Sequence, residues 1–71
     1  MNIILSSSNS QPIYEQIVTQ IKAMIMSGEL KPKDPLPSIR GLAKSLHVSV
    51  ITAQHAYEEL QRDGFIETVA G

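Results

Sequence analysis

Ser38 and Arg40 are two polar side chains, two residues apart, whose chemistry suggests a binding role. Ser38 stands just before the apolar pattern of a short helix, so it is predicted to cap that helix by accepting a hydrogen bond from an unpaired backbone N–H. The start of a helix carries unpaired N–H donors and the positive end of the helix dipole, to which a guanidinium adds a full charge. Ser38 and Arg40 are therefore predicted to contact a phosphate group.

A second candidate segment, residues 49–55, lies in a stretch without formal charge. Ser49 is predicted to cap another helix. If Ala53 and Ala56 face the core, the turn of 100° per residue directs Ile51 away from it. The residues of this segment that are candidates for contact with a partner are Ile51, with or without Val50, together with Gln54 and His55.

A solvent-facing isoleucine has two interpretations, and the sequence leaves both open. Ile51 is either an ordinary surface residue or dimer contact, or it meets thymine methyl groups in the major groove of DNA. In the second case the Gln54 amide pairs with adenine, and His55 touches a phosphate or a base. That interpretation predicts a binding site rich in A·T pairs.

Catalysis and metal binding find little support in the sequence. The chain has 71 residues, no cysteine and only two histidines. Its serines lack a Gly-x-Ser-x-Gly setting, and glycine-rich phosphate loops are missing. We therefore expect a protein that is not an enzyme and binds no metal or cofactor. The lack of cysteine fits a reducing cytoplasm.

Helical periodicity predicts the elements that position these candidates. A long apolar stripe predicts a first helix over residues 12–27, which has Gln16 and Gln20 on its polar face and Gly28 as its stop. Shorter stripes predict a second helix over residues 39–46 and a third from the Ser49 cap to about residue 62.

The remaining segments are predicted to be non-helical. Three prolines within residues 30–37 indicate a stiff, extended connector. Residues 65–69 predict a strand and residues 70–71 the beginning of a turn. Residues 1–10 are expected to form a flexible lead-in or, near their start, a short edge strand.

Two short helices joined by a few residues, after a longer amphipathic helix, are the parts of a helix-turn-helix. A following strand that starts a hairpin turns this unit into a winged helix. We therefore predict a mainly α fold with a small β-wing, in which a three-helix core plus β-hairpin occupies residues 11–71.

Charge is unevenly distributed, although the net charge is only −1. Residues 31–47 carry four cations and one carboxylate, whereas residues 58–67 carry four carboxylates and one cation. The basic part is expected to face a polyanion and the acidic part to face away from it. Glu58 and Arg62 are predicted to form a pair four residues apart.

The order of motifs resembles the DNA-binding domain of GntR-type bacterial transcription regulators. Pro-Ile-Tyr-Glu-Gln-Ile at residues 12–17 is most similar to the YtrA-type branch. Leu-Pro-Ser-Ile-Arg at 36–40, Ala-Tyr-Glu-Glu-Leu at 56–60 and Asp-Gly-Phe-Ile-Glu at 63–67 follow in the same order as in that family. The resemblance covers residues 11–71.

The resemblance implies a winged-helix transcription regulator, expected to be a repressor. Such a regulator binds a palindromic operator in double-stranded DNA as a homodimer. It assigns Ser38 and Arg40 to phosphates and Gly71 to the wing turn. It also places Ser49, Val50, Thr52 and Gln54 toward the groove. The family commonly has arginine where this chain has Val50. A dimerisation or effector-binding region is expected beyond residue 71, and the protein is expected on the cytoplasmic nucleoid.

A different class of function remains open from the sequence. A winged helix can serve as a protein-interaction module with little affinity for DNA. The apolar pair Val50 and Ile51 would then be the docking surface.

Overall fold

Three helices form the computed structural model of the chain, which describes residues 2–31 and 34–67. They are α1 (Ile13–Ser27), α2 (Ile39–Leu46) and α3 (Val50–Arg62). The predicted helices over 12–27, 39–46 and 49–62 are confirmed to within one residue. Gly28 ends α1 with a left-handed φ of 84°, as predicted, and its N–H donates to the Ile25 carbonyl.

α3 packs against both α1 and α2 and supplies the centre of the core. Ala53 and Ala56 are fully buried, and their small side chains let the neighbouring helices approach α3 closely. The remaining buried apolar side chains are Ile17, Val18, Ile21 and Met24 of α1, Ile39, Leu42 and Ala43 of α2, and Tyr57 and Leu60 of α3.

The Tyr57 hydroxyl ties the start of α2 to the middle of α3. It donates a hydrogen bond of 2.7 Å to the Pro37 carbonyl oxygen. Burial raises the pKa of the Tyr57 hydroxyl to about 12, because the phenolate would have to be desolvated. The end of the connector at Pro37 is thereby fixed beside α3, and Leu30 and Leu36 pack against the core.

Two glutamines of α1 hold the N-terminal segment. The Gln20 amide exchanges two hydrogen bonds with the backbone of Ile4, and the Gln16 amide does the same with Ser6, all at 2.7–2.9 Å. Gln16 and Gln20 lie about one helical turn apart, and one turn rises about 5.4 Å, which is close to the advance of two extended residues. The Gln20 amide therefore reaches residue 4 while the Gln16 amide reaches residue 6. Within the described residues, the segment near the start therefore pairs with side chains and not with a strand.

Gln16, which was predicted to lie on the polar face of α1 opposite the apolar stripe, is not on an exposed face. Gln16 is buried, and its amide also donates to the Gln11 carbonyl oxygen. A helical wheel marks glutamine as polar, but it does not show that another segment folds over that face. The bonds with backbone groups offset the cost of burying the amide.

Replacing Gln16 with alanine is expected to lower the free energy of unfolding by about 1–3 kcal/mol, because partly buried backbone groups of Ser6 and Gln11 lose their partners. Gln20→Ala is the matched control, since its bonds are exposed and water can replace them. Urea unfolding of both variants checks this. Equal losses would contradict a special role for Gln16.

The end of α3 leads into a segment that packs on the core without forming a strand. The N–H of Phe65 donates to the Leu60 carbonyl oxygen, and Phe65 and Ile66 pack against the core. Residues 65–67 are not a strand. The rest of the predicted strand and the predicted wing turn with Gly71 lie outside the described residues. No described helix is long and apolar enough to cross a membrane.

Candidate nucleic-acid interface

A turn of three residues connects α2 to α3. His47 follows α2 in the left-handed conformation, with φ 57° and ψ 43°, and the N–H of Val48 donates to the Ala43 carbonyl oxygen. Val48 is half-buried and packs against the core, which anchors the turn. Together α2, the turn and α3 form a helix-turn-helix.

The start of α2 has the predicted cap. The Ser38 hydroxyl accepts a hydrogen bond of 3.0 Å from the backbone N–H of Gly41. Arg40, the second residue of α2, is exposed and forms no ion pair with any residue that the structure describes. A free guanidinium beside a helix N-terminus is an arrangement that can bind one phosphate.

The start of α3 carries an apolar projection, which we name the α3 front and define as Ser49, Val50 and Ile51. The Ser49 hydroxyl accepts from the backbone N–H of Thr52 at 3.0 Å, as predicted for a cap, and lies 2.8 Å from the Thr52 hydroxyl. Val50 is 45% exposed and Ile51 is 78% exposed. The predicted outward direction of Ile51 is confirmed.

Two further candidates of α3 are engaged within the chain. The side-chain N–H of Gln54 donates to the Glu58 carboxylate at 3.2 Å. The His55 ring stacks on Tyr14 of α1, with ring centres 3.8 Å apart and planes 14° apart, and its Nε2 lies 3.7 Å from the Glu59 carboxylate. The sequence did not indicate this stack, because the two rings lie on different helices.

The ion pairs near the end of α3 differ from the predicted one. The prediction of a Glu58–Arg62 pair is wrong, because Arg62 pairs with Glu59. The Glu59 carboxylate raises the pKa of the Arg62 guanidinium. Asp63 accepts a hydrogen bond of 2.7 Å from Lys22 of α1, and the ammonium lowers the pKa of that carboxyl group. These pairs partly neutralise the acidic end of α3.

The contacts between α1 and α3 fix which end of the molecule carries the α3 front. Tyr14 meets His55, and Lys22 meets Asp63, so the two helices run in the same general direction. The C-terminal end of α1, with Met26, therefore lies toward the opposite end of α3 from Ile51.

Comparison with known proteins agrees with this geometry. The family model "Bacterial regulatory proteins, gntR family" matches residues 13–71. The HTH-type transcriptional repressor YtrA of Bacillus subtilis is 45% identical over 69 residues, which are 97% of this chain and 53% of that protein. The HTH-type transcriptional repressor NagR of the same organism is 40% identical over 60 residues, or 84% of this chain and 25% of NagR.

A solved structure of YtrA from Sulfolobus acidocaldarius, a GntR-family transcription factor, superposes with a TM-score of 0.89 at 47% identity. The match covers 93% of this chain and 70% of that one. This chain spans about half the length of the Bacillus subtilis YtrA. These relatives are transcription regulators, which agrees with the expectation that this segment is not an enzyme. The chain belongs to the GntR family of bacterial regulatory proteins, as a helix-turn-helix domain of the kind that family uses.

Proposed function

We propose that this chain is the DNA-binding part of a transcription repressor and that it contacts double-stranded operator DNA with the α3 front and the start of α2. The observation that carries the proposal is the exposed α3 front, which follows a tight turn, together with Arg40, which is exposed and forms no ion pair among the described residues. The bond from Tyr57 to Pro37 supports it, because this bond holds the start of α2 beside α3.

In this proposal Ser38 and Arg40 hold a phosphate while the first residues of α3 enter the major groove. Ser49, Val50, Ile51, Thr52 and Gln54 approach the bases. His55 reaches DNA only if its ring leaves Tyr14 or if a phosphate approaches the stacked pair. Gly71 is assigned to the wing turn by the family resemblance alone.

The oligomeric state, the operator symmetry and the effector of the proposed regulator concern the whole protein. It acts as a homodimer, through a region beyond residue 71, on a palindromic operator whose half-sites lie about one helical turn apart. A small-molecule effector, where one exists, binds outside this segment. Such a protein works on the nucleoid in the cytoplasm.

Arg40→Ala is expected to weaken DNA binding about tenfold and to flatten its salt dependence, because each lost phosphate contact removes about 0.9 from the log–log slope. Fluorescence anisotropy with a labelled duplex at several salt concentrations measures both effects. A dimer with at most four cationic contacts per monomer should keep its slope shallower than about −8.

Arg62→Ala is the matched control, since it also removes one guanidinium group. Arg62 lies at the C-terminal end of α3, away from the α3 front, where Glu59 already pairs with it. It should leave DNA binding unchanged. Equal losses for the two variants, or none for Arg40→Ala, would refute the phosphate contact.

The exposed Val50 and Ile51 also favour a second candidate function, that of a protein-interaction module. In that case Ile51→Asp abolishes association with a protein partner, and Arg40→Ala changes nothing. Loss of DNA binding in Arg40→Ala would decide for the operator-binding function.

A further inference from the structure

The polar groups around the α3 front are largely paired inside the chain. The hydroxyls of Ser49 and Thr52 lie within hydrogen-bond distance of each other, and the Gln54 amide donates to Glu58. A bidentate contact of Gln54 with adenine would first require that bond to break. Hydrogen-bonding readout by this end of α3 therefore competes with bonds that already exist.

The α3 front also lacks the residue type that reads guanine. Arginine or lysine paired with guanine is the commonest specific contact in the major groove, but residues 48–57 contain neither. What the α3 front offers is apolar surface, most of it from Ile51, the second residue of α3. The first residues of a recognition helix are those that come nearest to base edges.

Apolar surface has one distinctive partner in the major groove. Thymine carries a methyl group there, whereas the edges of guanine, cytosine and adenine present hydrogen-bonding groups. We infer that Ile51 determines specificity by packing against a thymine methyl group, so that the preferred half-site has thymine at the position facing α3's second residue. This inference rests on the proposed DNA-binding function and names its base preference.

The test removes the methyl group from the DNA and the side chain from the protein in a double-mutant cycle. Duplexes are first selected by this chain from a random pool at low salt. Each thymine of the selected half-site is then replaced singly by deoxyuridine, which differs only by the missing methyl. At one position the replacement should weaken binding about fourfold, as expected for one buried methyl group.

Ile51→Ala should be insensitive to that replacement, because the partner of the methyl group is already gone. Val50→Ala and Arg40→Ala should keep the deoxyuridine penalty, although Arg40→Ala binds every duplex more weakly. The inference would be overturned if Ile51→Ala still lost affinity on deoxyuridine replacement, or if Val50→Ala became insensitive to it instead. It would also be overturned if replacing no thymine weakened binding of the unchanged chain. Selection of G-rich half-sites contacted by Gln54 would overturn it as well.

Failure of the proposed function gives a different pattern. In that case the pool yields no enriched duplex, and Arg40→Ala binds the random pool as well as the unchanged chain does. Enriched duplexes that lose affinity in Arg40→Ala but ignore deoxyuridine would leave the proposed function standing and refute the thymine contact alone.

Discussion

Ile51→Asp is expected to reduce DNA binding at least a hundredfold without unfolding the chain. The new carboxylate would lie between DNA phosphates, and apposed like charges cost several kcal/mol. The fold should tolerate the change, because Ile51 is 78% exposed and a negative charge in the first turn of α3 interacts favourably with the helix dipole. Anisotropy titrations measure the binding, and urea unfolding measures the fold.

Met26→Asp is the matched control for this prediction. Met26 is as exposed as Ile51, at 78%, and the substitution changes the charge of the chain equally. Met26 lies toward the opposite end of α3, so DNA binding should change little. Equal losses would show that net charge, and not the position of Ile51, governs binding.

Ile21→Ala is expected to lower the free energy of unfolding by about 2–5 kcal/mol, because Ile21 is fully buried on α1 and the smaller side chain leaves a cavity. A domain of this size is stable by only about 4–10 kcal/mol, so the variant loses a large part of its stability. Urea unfolding at constant temperature measures the difference.

Ile51→Ala provides the comparison, since the same substitution on the exposed α3 front should change the stability by less than about 0.5 kcal/mol. The two isoleucines are thus expected to have opposite roles, one in the fold and one in binding. A large destabilisation by Ile51→Ala would mean that the α3 front is packed and unavailable to DNA.

The helices and their ends could be predicted from the sequence because each has a local cause. Apolar residues recur at helical spacing, Gly28 permits the left-handed stop, and the hydroxyls of Ser38 and Ser49 cap the next two helices. The exposure of Ile51 followed from the same geometry, because four buried residues fix the orientation of α3. Local patterns were sufficient for these features.

The side-chain partners could not be predicted, because they depend on which elements meet. The Tyr14–His55 stack requires α1 and α3 to lie side by side, and the burial of Gln16 requires the N-terminal segment to cross α1. Glu59 rather than Glu58 pairs with Arg62, while Glu58 accepts a bond from Gln54. Sequence spacing alone permits either acidic partner.

In the proposed function, the α3 front and the start of α2 form one DNA-contacting surface. Backbone amide chemical shifts of the chain, recorded by NMR while a selected duplex is added, test it most directly. We expect shifts concentrated in residues 38–41 and 49–52, with the amides near Met26 unaffected. Shifts confined to the C-terminal ends of α1 and α3, or none at saturating DNA, would contradict it.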